Sequence, residues 1–222
     1  MKRVATVLSV NVGAPEPIAR GKGLPTGIGK RPVDHVDVRD PGPKHGGDGS
    51  GVVGDFIGDR QHHGGSTQAL YAVAREELDG WEQRLGRSLP DGMFGENLTT
   101  QGYEVDAALI GERWRIGPDV VVVVAGPRIP CLTFAARMGE PGWLKTFAAH
   151  GRSGGYLSIE VPGRITRGDE LEVLSRPDHD ITVPVTFAAF MGDLGAGREV
   201  LAAGVLDPAE HADLERAVDR RA

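Results

Sequence analysis

The segment that decides the fold is VVVVVAGPRIPC, residues 120–131. Its first six residues, Val120 to Ala125, form the longest apolar run of the chain, and such a run predicts a buried strand. Pro127 and Pro130 then restrict the backbone on either side of Arg128. The segment therefore predicts a strand that presents Cys131 from a rigid loop at its end, at the start of a helix.

Shorter strands are predicted on both sides of this segment, over residues 3–11, 33–40, 68–73, 97–100, 113–116, 156–161 and 170–174. Residues 162–169 are predicted to form a turn. Helices are predicted over 74–85, 131–138 and 141–150, the first because Leu78, Trp81 and Leu85 recur at helical spacing. The 33 glycines and 15 prolines are spread through the chain, as expected for many short strands joined by tight turns.

The pattern changes near the end of the chain, where residues 186–222 predict three short helices. Asp207 suits an N-cap and Pro208 suits the first helical position. The predicted fold class is therefore mainly β (α+β). A β-barrel domain with peripheral helices covers residues 1–175, and a small three-helix C-terminal domain covers residues 181–222.

Composition and charge exclude several classes of partner. The formal net charge of the 222-residue chain is −6, so the protein as a whole repels nucleic acid and anionic membranes, and an anionic ligand needs a local basic pocket. The N-terminal apolar run is too short for a signal sequence, and no run approaches the roughly 20 apolar residues of a membrane span. We therefore expect a cytoplasmic protein with neither a nucleic-acid nor a membrane partner.

Cys131 is the single cysteine, so the chain forms no internal disulfide. A lone cysteine is often a small buried hydrophobe. Here its place before a helix, with Arg128 close by, favours the thiolate, and a thiolate can be a nucleophile or a metal ligand.

The run His62-His63-Gly64-Gly65 is a second candidate for chemistry. A zinc site is disfavoured because adjacent side chains diverge and no partner stands at zinc-ligand spacing. The better interpretation is a loop that hydrogen-bonds an oxygen-rich ligand, with the glycines allowing its backbone to come close. The alternative is a histidine that only holds a turn together.

Two glycine-rich loops carry basic residues just ahead of strands, GIGKRPV with Lys30 and Arg31, and GRSGGY with Arg152. Backbone amides with Lys or Arg can hold a phosphate, although neither loop has Walker spacing. In FGENL, Glu96 and Asn97 offer polar groups at the start of a strand. On chemistry alone, a plain turn in which Asn97 bonds backbone is favoured there.

In their order along the chain, GIGKRPV, VGDFIGDRQHHGGSTQALYA, FGENLTT, IGERWRIG, PRIPC, GRSGGY and ITRGDELEV resemble a MOSC domain of the YiiM-like subgroup. The resemblance extends over nearly the whole chain. The HHGG, FGEN and PRxPC elements are specific only as a series. Ser66-Thr67-Gln68 departs from the pattern, since relatives often have an acidic residue and a lysine after HHGG.

The resemblance implies a barrel with a molybdenum cofactor (molybdopterin) in a cleft and Cys131 as the protein ligand of the metal, a site that suits a soft thiolate. The implied reaction is the reduction of a small N-hydroxylated compound of the hydroxylaminopurine or amidoxime type, which would detoxify that compound. His62 or His63 would donate the proton. The implied cofactor contacts are Lys30, Arg31, Gly64, Gly65, Asn97, Arg128 and Arg152.

The chain has no cysteine cluster and no nucleotide fingerprint, so electrons are expected from a separate flavin reductase or ferredoxin. The expected oligomeric state is a monomer or homodimer. Two alternatives stay open. Cys131 could carry a persulfide without reductive turnover, served by a separate desulfurase because no pyridoxal phosphate domain is evident, or the pocket could be vestigial.

Overall fold

Seven strands form a closed ring in the computed structural model, which describes residues 4–17 and 25–221. The strands are β1 (Ala5–Val12), β2 (Arg31–Val33), β3 (His35–Val38), β4 (Leu70–Ala74), β5 (Leu98–Gln101), β6 (Arg113–Ile116), β7 (Val120–Pro127), β8 (Gly155–Val161), β9 (Gly163–Thr166) and β10 (Glu170–Ser175). The ring runs β10-β6-β7-β8-β4-β5-β1, and pairing of β1 with β10 closes it. The predicted barrel is thereby confirmed. Arg3, where the first strand was predicted to begin, lies outside the described residues.

All neighbours in the ring are antiparallel except β4 and β5, which run parallel. The chain passes between these two strands through α1 (Arg75–Leu85), so the turn at the start of β5 lies next to the start of β4. Strand β2 adds to β1 outside the ring.

Strand β9 corrects the prediction of a turn over residues 162–169. It pairs antiparallel with β3, from His35 opposite Thr166 to Val38 opposite Gly163. Its only fully buried residue is Ile165, so it lacks the apolar alternation that identifies a strand from sequence. Its partner lies more than a hundred residues earlier in the chain, and this distant pairing stabilises it.

The barrel interior holds the apolar residues of the strands, among them Trp114, Val122 and Leu157, which are fully buried. Strand β3 alternates as predicted, with Val36 and Val38 buried between exposed residues. In contrast, all three residues of β2 are exposed.

A separate aromatic cluster lies outside the barrel, beneath α1, α2 (Leu132–Met138) and α3 (Trp143–His150). Its rings include Trp81, Phe94, Phe134, Trp143 and Phe147, and the centroids of Phe134 and Phe147 are 5.0 Å apart. These contacts hold α2, the helix that begins directly after Cys131.

The chain ends in α4 (Val183–Met191), α5 (Leu194–Ala203) and α6 (Pro208–Asp219), the three helices expected there. Asp207 caps α6 by accepting from the N–H of Ala209, and Pro208 takes the first helical position, as predicted. Buried residues of these helices, such as Val200 and Leu214, belong to the same apolar core as the barrel. The division into domains 1–175 and 181–222 stays a prediction.

Every helix within residues 4–17 and 25–221 falls short of the length and apolar character that a membrane crossing demands.

Candidate functional site

A cavity of about 540 Å³ opens at one rim of the barrel. It is lined by residues from 25–30, the loop 50–64, the turn before β5, Tyr71 and Tyr156, and residues 128–133 at the end of β7 and the start of α2. These segments are far apart in sequence, and they include most of the candidate site residues. The candidates that line the cavity are Lys30, His62, His63, Gly64, Asn97, Arg128 and Cys131.

Cys131 is the N-cap residue of α2, half-buried, and it faces this cavity. Burial alone raises the pKa of its thiol. A hydrogen bond from His63, the charge of Arg128 and the N–H of Phe134 outweigh burial and bring the pKa down to about 6. The thiolate is therefore the main form at neutral pH, as the sequence context of Cys131 led us to expect.

The two histidines have different partners. His63 is close enough to the thiol of Cys131 to lower its pKa, whereas Nδ1 of His62 lies 2.9 Å from a carboxylate oxygen of Asp59. The side chain of His62 is about half exposed at the mouth of the cavity. Both histidines therefore have a neighbour within the protein, and both line the cavity.

The glycines after the histidines meet the backbone of the chain's own neighbouring loop. Gly64 and Gly65 have φ of 91° and 87°. A Cβ on Gly64 would lie 2.6 Å from the carbonyl oxygen of Gly49, and one on Gly65 would lie 2.7 Å from the backbone nitrogen of Lys44. These glycines are therefore needed because two loops pack backbone to backbone, which differs from the approach to a ligand expected from the sequence.

Arg128 is 6% exposed, and its guanidinium carbon lies 3.8 Å from the centroid of the Phe134 ring. Tyr71 flanks it on another side, 5.6 Å away. The Nη1 atom is buried without a hydrogen-bond partner among the described residues. A buried, unsatisfied cationic donor at the edge of a cavity is suited to binding an anionic or carbonyl oxygen of a ligand.

Lys30 is already paired, since its Nζ lies 2.6 Å from Asp55, and both side chains are buried. Asp55 also accepts hydrogen bonds from the N–H of Gly13 at 2.7 Å, the hydroxyl of Ser50 at 2.8 Å and the amide of Asn97 at 3.1 Å. Asp55 is thus the residue that joins four segments under the cavity. The sequence analysis missed it because nothing in GVVGDFIGDR separates it from a surface aspartate.

Asn97 is fully engaged by the protein. Its Oδ1 accepts from the N–H of Tyr71, and its Nδ2 donates to Asp55 and to the carbonyl oxygen of Asn11. The carboxylate of Glu96 accepts from the N–H groups of Gly92 and Phe94, so it closes the turn before β5. The expectation that Asn97 bonds backbone is met, and its side chain also forms part of the cavity wall.

The remaining three candidates do not line the cavity. Arg31 is exposed on β2, and Gly65 lies behind the cavity wall. The Nε and Nη1 atoms of Arg152 donate to Glu77 and Glu104 at 2.7 and 2.8 Å, and Arg152 lines a second depression between α3 and α4. These two pairs give Arg152 a structural role.

No three His, Cys, Asp or Glu side chains within residues 4–17 and 25–221 come together in a way that could hold a metal ion. At this cavity the soft donor is Cys131.

Comparison with known proteins agrees with this fold. The model of the MOSC domain family matches residues 59–172. An uncharacterized Bacillus subtilis protein, YflK, is 33% identical over 179 residues, which cover 80% of this chain and 77% of that protein. A Gibberella moniliformis protein named "Reductase" is 32% identical over 131 residues, which are 58% of this chain and only 23% of the fungal protein.

The crystal structure of YiiM from Geobacillus stearothermophilus superimposes with a TM-score of 0.74 and 25% sequence identity, covering 96% of this chain and 99% of that one. The similarity therefore includes the C-terminal helices as well as the barrel.

Proposed function

Because this chain belongs to the MOSC domain family, we propose that it is a molybdenum cofactor-dependent reductase of N-hydroxylated compounds that works through Cys131. The observation that carries the proposal is a thiol with a pKa of about 6 that faces an open cavity. A relative named as a reductase supports an oxidoreductase activity.

The cavity suits the cofactor in two respects. A thiolate is the soft donor that a thiol-rich metal site accepts, and Cys131 supplies it. The unsatisfied Nη1 of Arg128 is a buried cationic donor, which the anionic pterin phosphate would satisfy. Among the basic candidates that line the cavity, Arg128 is the unpaired one, since Lys30 is paired with Asp55; Arg31 and Arg152 do not line the cavity.

When bound, the cofactor would supply the two electrons that break the N–O bond, and with two protons the products are an amine and water. Cys131 would hold the metal, and Arg128 would fix the cofactor in the cavity. His63 would orient the thiolate, and His62 or His63 would pass a proton to the departing oxygen. Electrons would come from a separate flavin reductase or ferredoxin.

The same low-pKa thiol also suits a second function, that of a sulfur carrier. As a thiolate that is half-exposed in a cavity, Cys131 could attack the outer sulfur of a desulfurase persulfide, releasing the desulfurase thiolate, and hold that sulfur as its own persulfide. This alternative needs no metal, so metal content separates the two functions.

The test is molybdenum and pterin analysis of wild-type protein and Cys131→Ser, both purified from a host that makes the cofactor. We expect about one molybdenum per chain in the wild type and a large loss in the variant, together with loss of N-hydroxylamine reduction. Persulfide on Cys131 without metal would support the sulfur carrier instead. Unchanged reduction by Cys131→Ser with an intact fold would refute the proposed mechanism.

A further inference from the structure

Two large apolar side chains stand exposed on either side of Cys131. Leu132 is 69% exposed and Ile129 is 37% exposed, and both line the cavity. We call these two residues the apolar lip. Single exposed apolar side chains are ordinary, but two within four residues at one cavity place exposed apolar surface on both sides of the residue that would hold the metal.

Folding of α2 does not require Leu132. The helix buries Phe134 and Met138, which are four residues apart, against the aromatic cluster. Leu132 is 69% exposed and does not belong to that cluster, so it contributes little to the core and is free to contact a ligand.

The position of the apolar lip limits which part of a ligand it can contact. Consecutive Cα atoms are about 3.8 Å apart, so the Cα of Leu132 lies about 3.8 Å and that of Ile129 no more than about 7.6 Å from the Cα of Cys131. Both lip side chains therefore branch from the backbone close to the residue that would hold the metal, so an apolar group bound to the lip would lie near the N–OH group.

Part of the polar lining of the cavity is engaged by the protein itself. Lys30, Asp55 and Asn97 satisfy one another, as described above, and Arg128 is the unsatisfied donor. Beside Cys131 in the chain, Ile129, Pro130 and Leu132 add three apolar side chains to the lining, close to Arg128 and Thr133.

We propose that the apolar lip determines substrate specificity by binding an uncharged ring or alkyl body attached directly to the N–OH group. Substrates with such a body are reduced in preference to small polar hydroxylamines. This inference rests on the proposed function and adds to it the residues that select the substrate.

The test compares kcat/KM for N-phenylhydroxylamine and for hydroxylamine, with a chemical reductant as electron source. We expect Leu132→Asn to lower kcat/KM for the phenyl compound by roughly tenfold, as loss of apolar contact in a specificity pocket does, and to change that for hydroxylamine by less than about twofold. Leu132→Met should restore the preference. Leu174→Asn is the matched control, because Leu174 is equally apolar and 37% exposed but lies on β10 away from the cavity.

Three results would overturn the inference. The first is an equal loss of kcat/KM for both substrates in Leu132→Asn. The second is a change in the ratio of the two kcat/KM values in Leu174→Asn as large as that in Leu132→Asn. A loss that appears only with a protein electron donor, and equally for both substrates, would make the lip a docking surface for that donor.

Binding of the unreactive product aniline, titrated by NMR, separates the two proposals. If the wild type reduces neither substrate, the proposed reductase function fails. The lip is then supported if Leu132→Asn binds aniline more weakly than Leu174→Asn does, and overturned if both bind it equally.

Discussion

At the scale of single residues, the decisive contact is that between Cys131 and its neighbours. A thiol with an ordinary pKa of 9.0 would be protonated at neutral pH, whereas His63 and Arg128 hold this one near 6 despite burial. Because the thiolate is the reactive form, its chemistry reports directly on this environment.

We expect iodoacetamide to alkylate the cofactor-free protein at a rate that rises with pH and reaches half its maximum near pH 6. The rate is low below this pH because the thiol is protonated there. His63→Gln should move the midpoint upward, since it removes a hydrogen bond to the sulfur. His62→Gln serves as the control and should leave the midpoint in place. A wild-type midpoint near the ordinary thiol value would contradict the assignment.

Arg128 and Arg152 make opposite predictions about cofactor retention. Arg128→Met removes the buried cationic donor at the cavity, and we expect molybdenum content to fall several-fold while the fold persists. Arg152→Met breaks pairs with Glu77 and Glu104 outside the cavity, so it should keep its molybdenum. Elemental analysis of both variants after gel filtration measures this. Equal molybdenum in Arg128→Met and the wild type would remove Arg128 from the cofactor site.

The sequence alone identified Cys131 and Arg128, whose local pattern indicates their chemistry, and missed Asp55, whose role depends on contacts distant in sequence. Cys131 and Arg128 share one proline-flanked loop, so their proximity follows from the chain itself. Asp55 is a site residue only because Lys30, Asn97 and Gly13 converge on it from three other segments. Arg152 was overestimated for the same reason. Its loop is basic in sequence, but Glu77 and Glu104, which are distant in sequence, pair with it.

At the scale of elements, the strands with apolar alternation or an apolar run were predicted to within a few residues, as for β6 and β7. The strand β9 was missed because Gly163, Arg164 and Thr166 give it no apolar period. Tertiary pairing with β3 decides its conformation, and no local rule contains that partner.

The joining of elements through Asp55 predicts a large effect on stability. Asp55→Asn leaves Lys30 buried without its counter-charge, and we expect the free energy of unfolding to fall by roughly 3–5 kcal/mol. Asp48→Asn is the control, because its pair with Arg39 is more than half exposed and should change stability by less than about 1 kcal/mol. Urea denaturation of both variants measures the difference. Similar midpoints would show that the buried pair is not a major stabilising contact.

At the scale of the whole molecule, the barrel and the C-terminal helices share one apolar core. The three tryptophans, Trp81, Trp114 and Trp143, all precede the three C-terminal helices, so their fluorescence follows the unfolding of the part of the chain before α4. This separation allows the coupling of the two parts to be measured.

Leu214→Ala, in α6, should therefore destabilise the barrel as well as the helices, by roughly 2–5 kcal/mol, because it leaves a cavity in the common core. Tryptophan fluorescence and far-UV circular dichroism should report one coincident unfolding transition that moves in the variant. If the tryptophan transition stayed in place while the helical signal moved, the two parts would be independent domains.

An odd number of strands cannot alternate in direction all the way round a closed ring, because a reversal at every step returns to the start only when the count is even. This barrel has seven strands, and its one parallel pair is that of β4 and β5. Two strand beginnings therefore lie side by side at the same rim, joined by the hydrogen bond from the N–H of Asn97 to the carbonyl oxygen of Tyr71. The segments that lead into these two strands contain the histidine pair and the turn before β5, and both line the same cavity. The odd number of strands thus helps to determine where a ligand can enter.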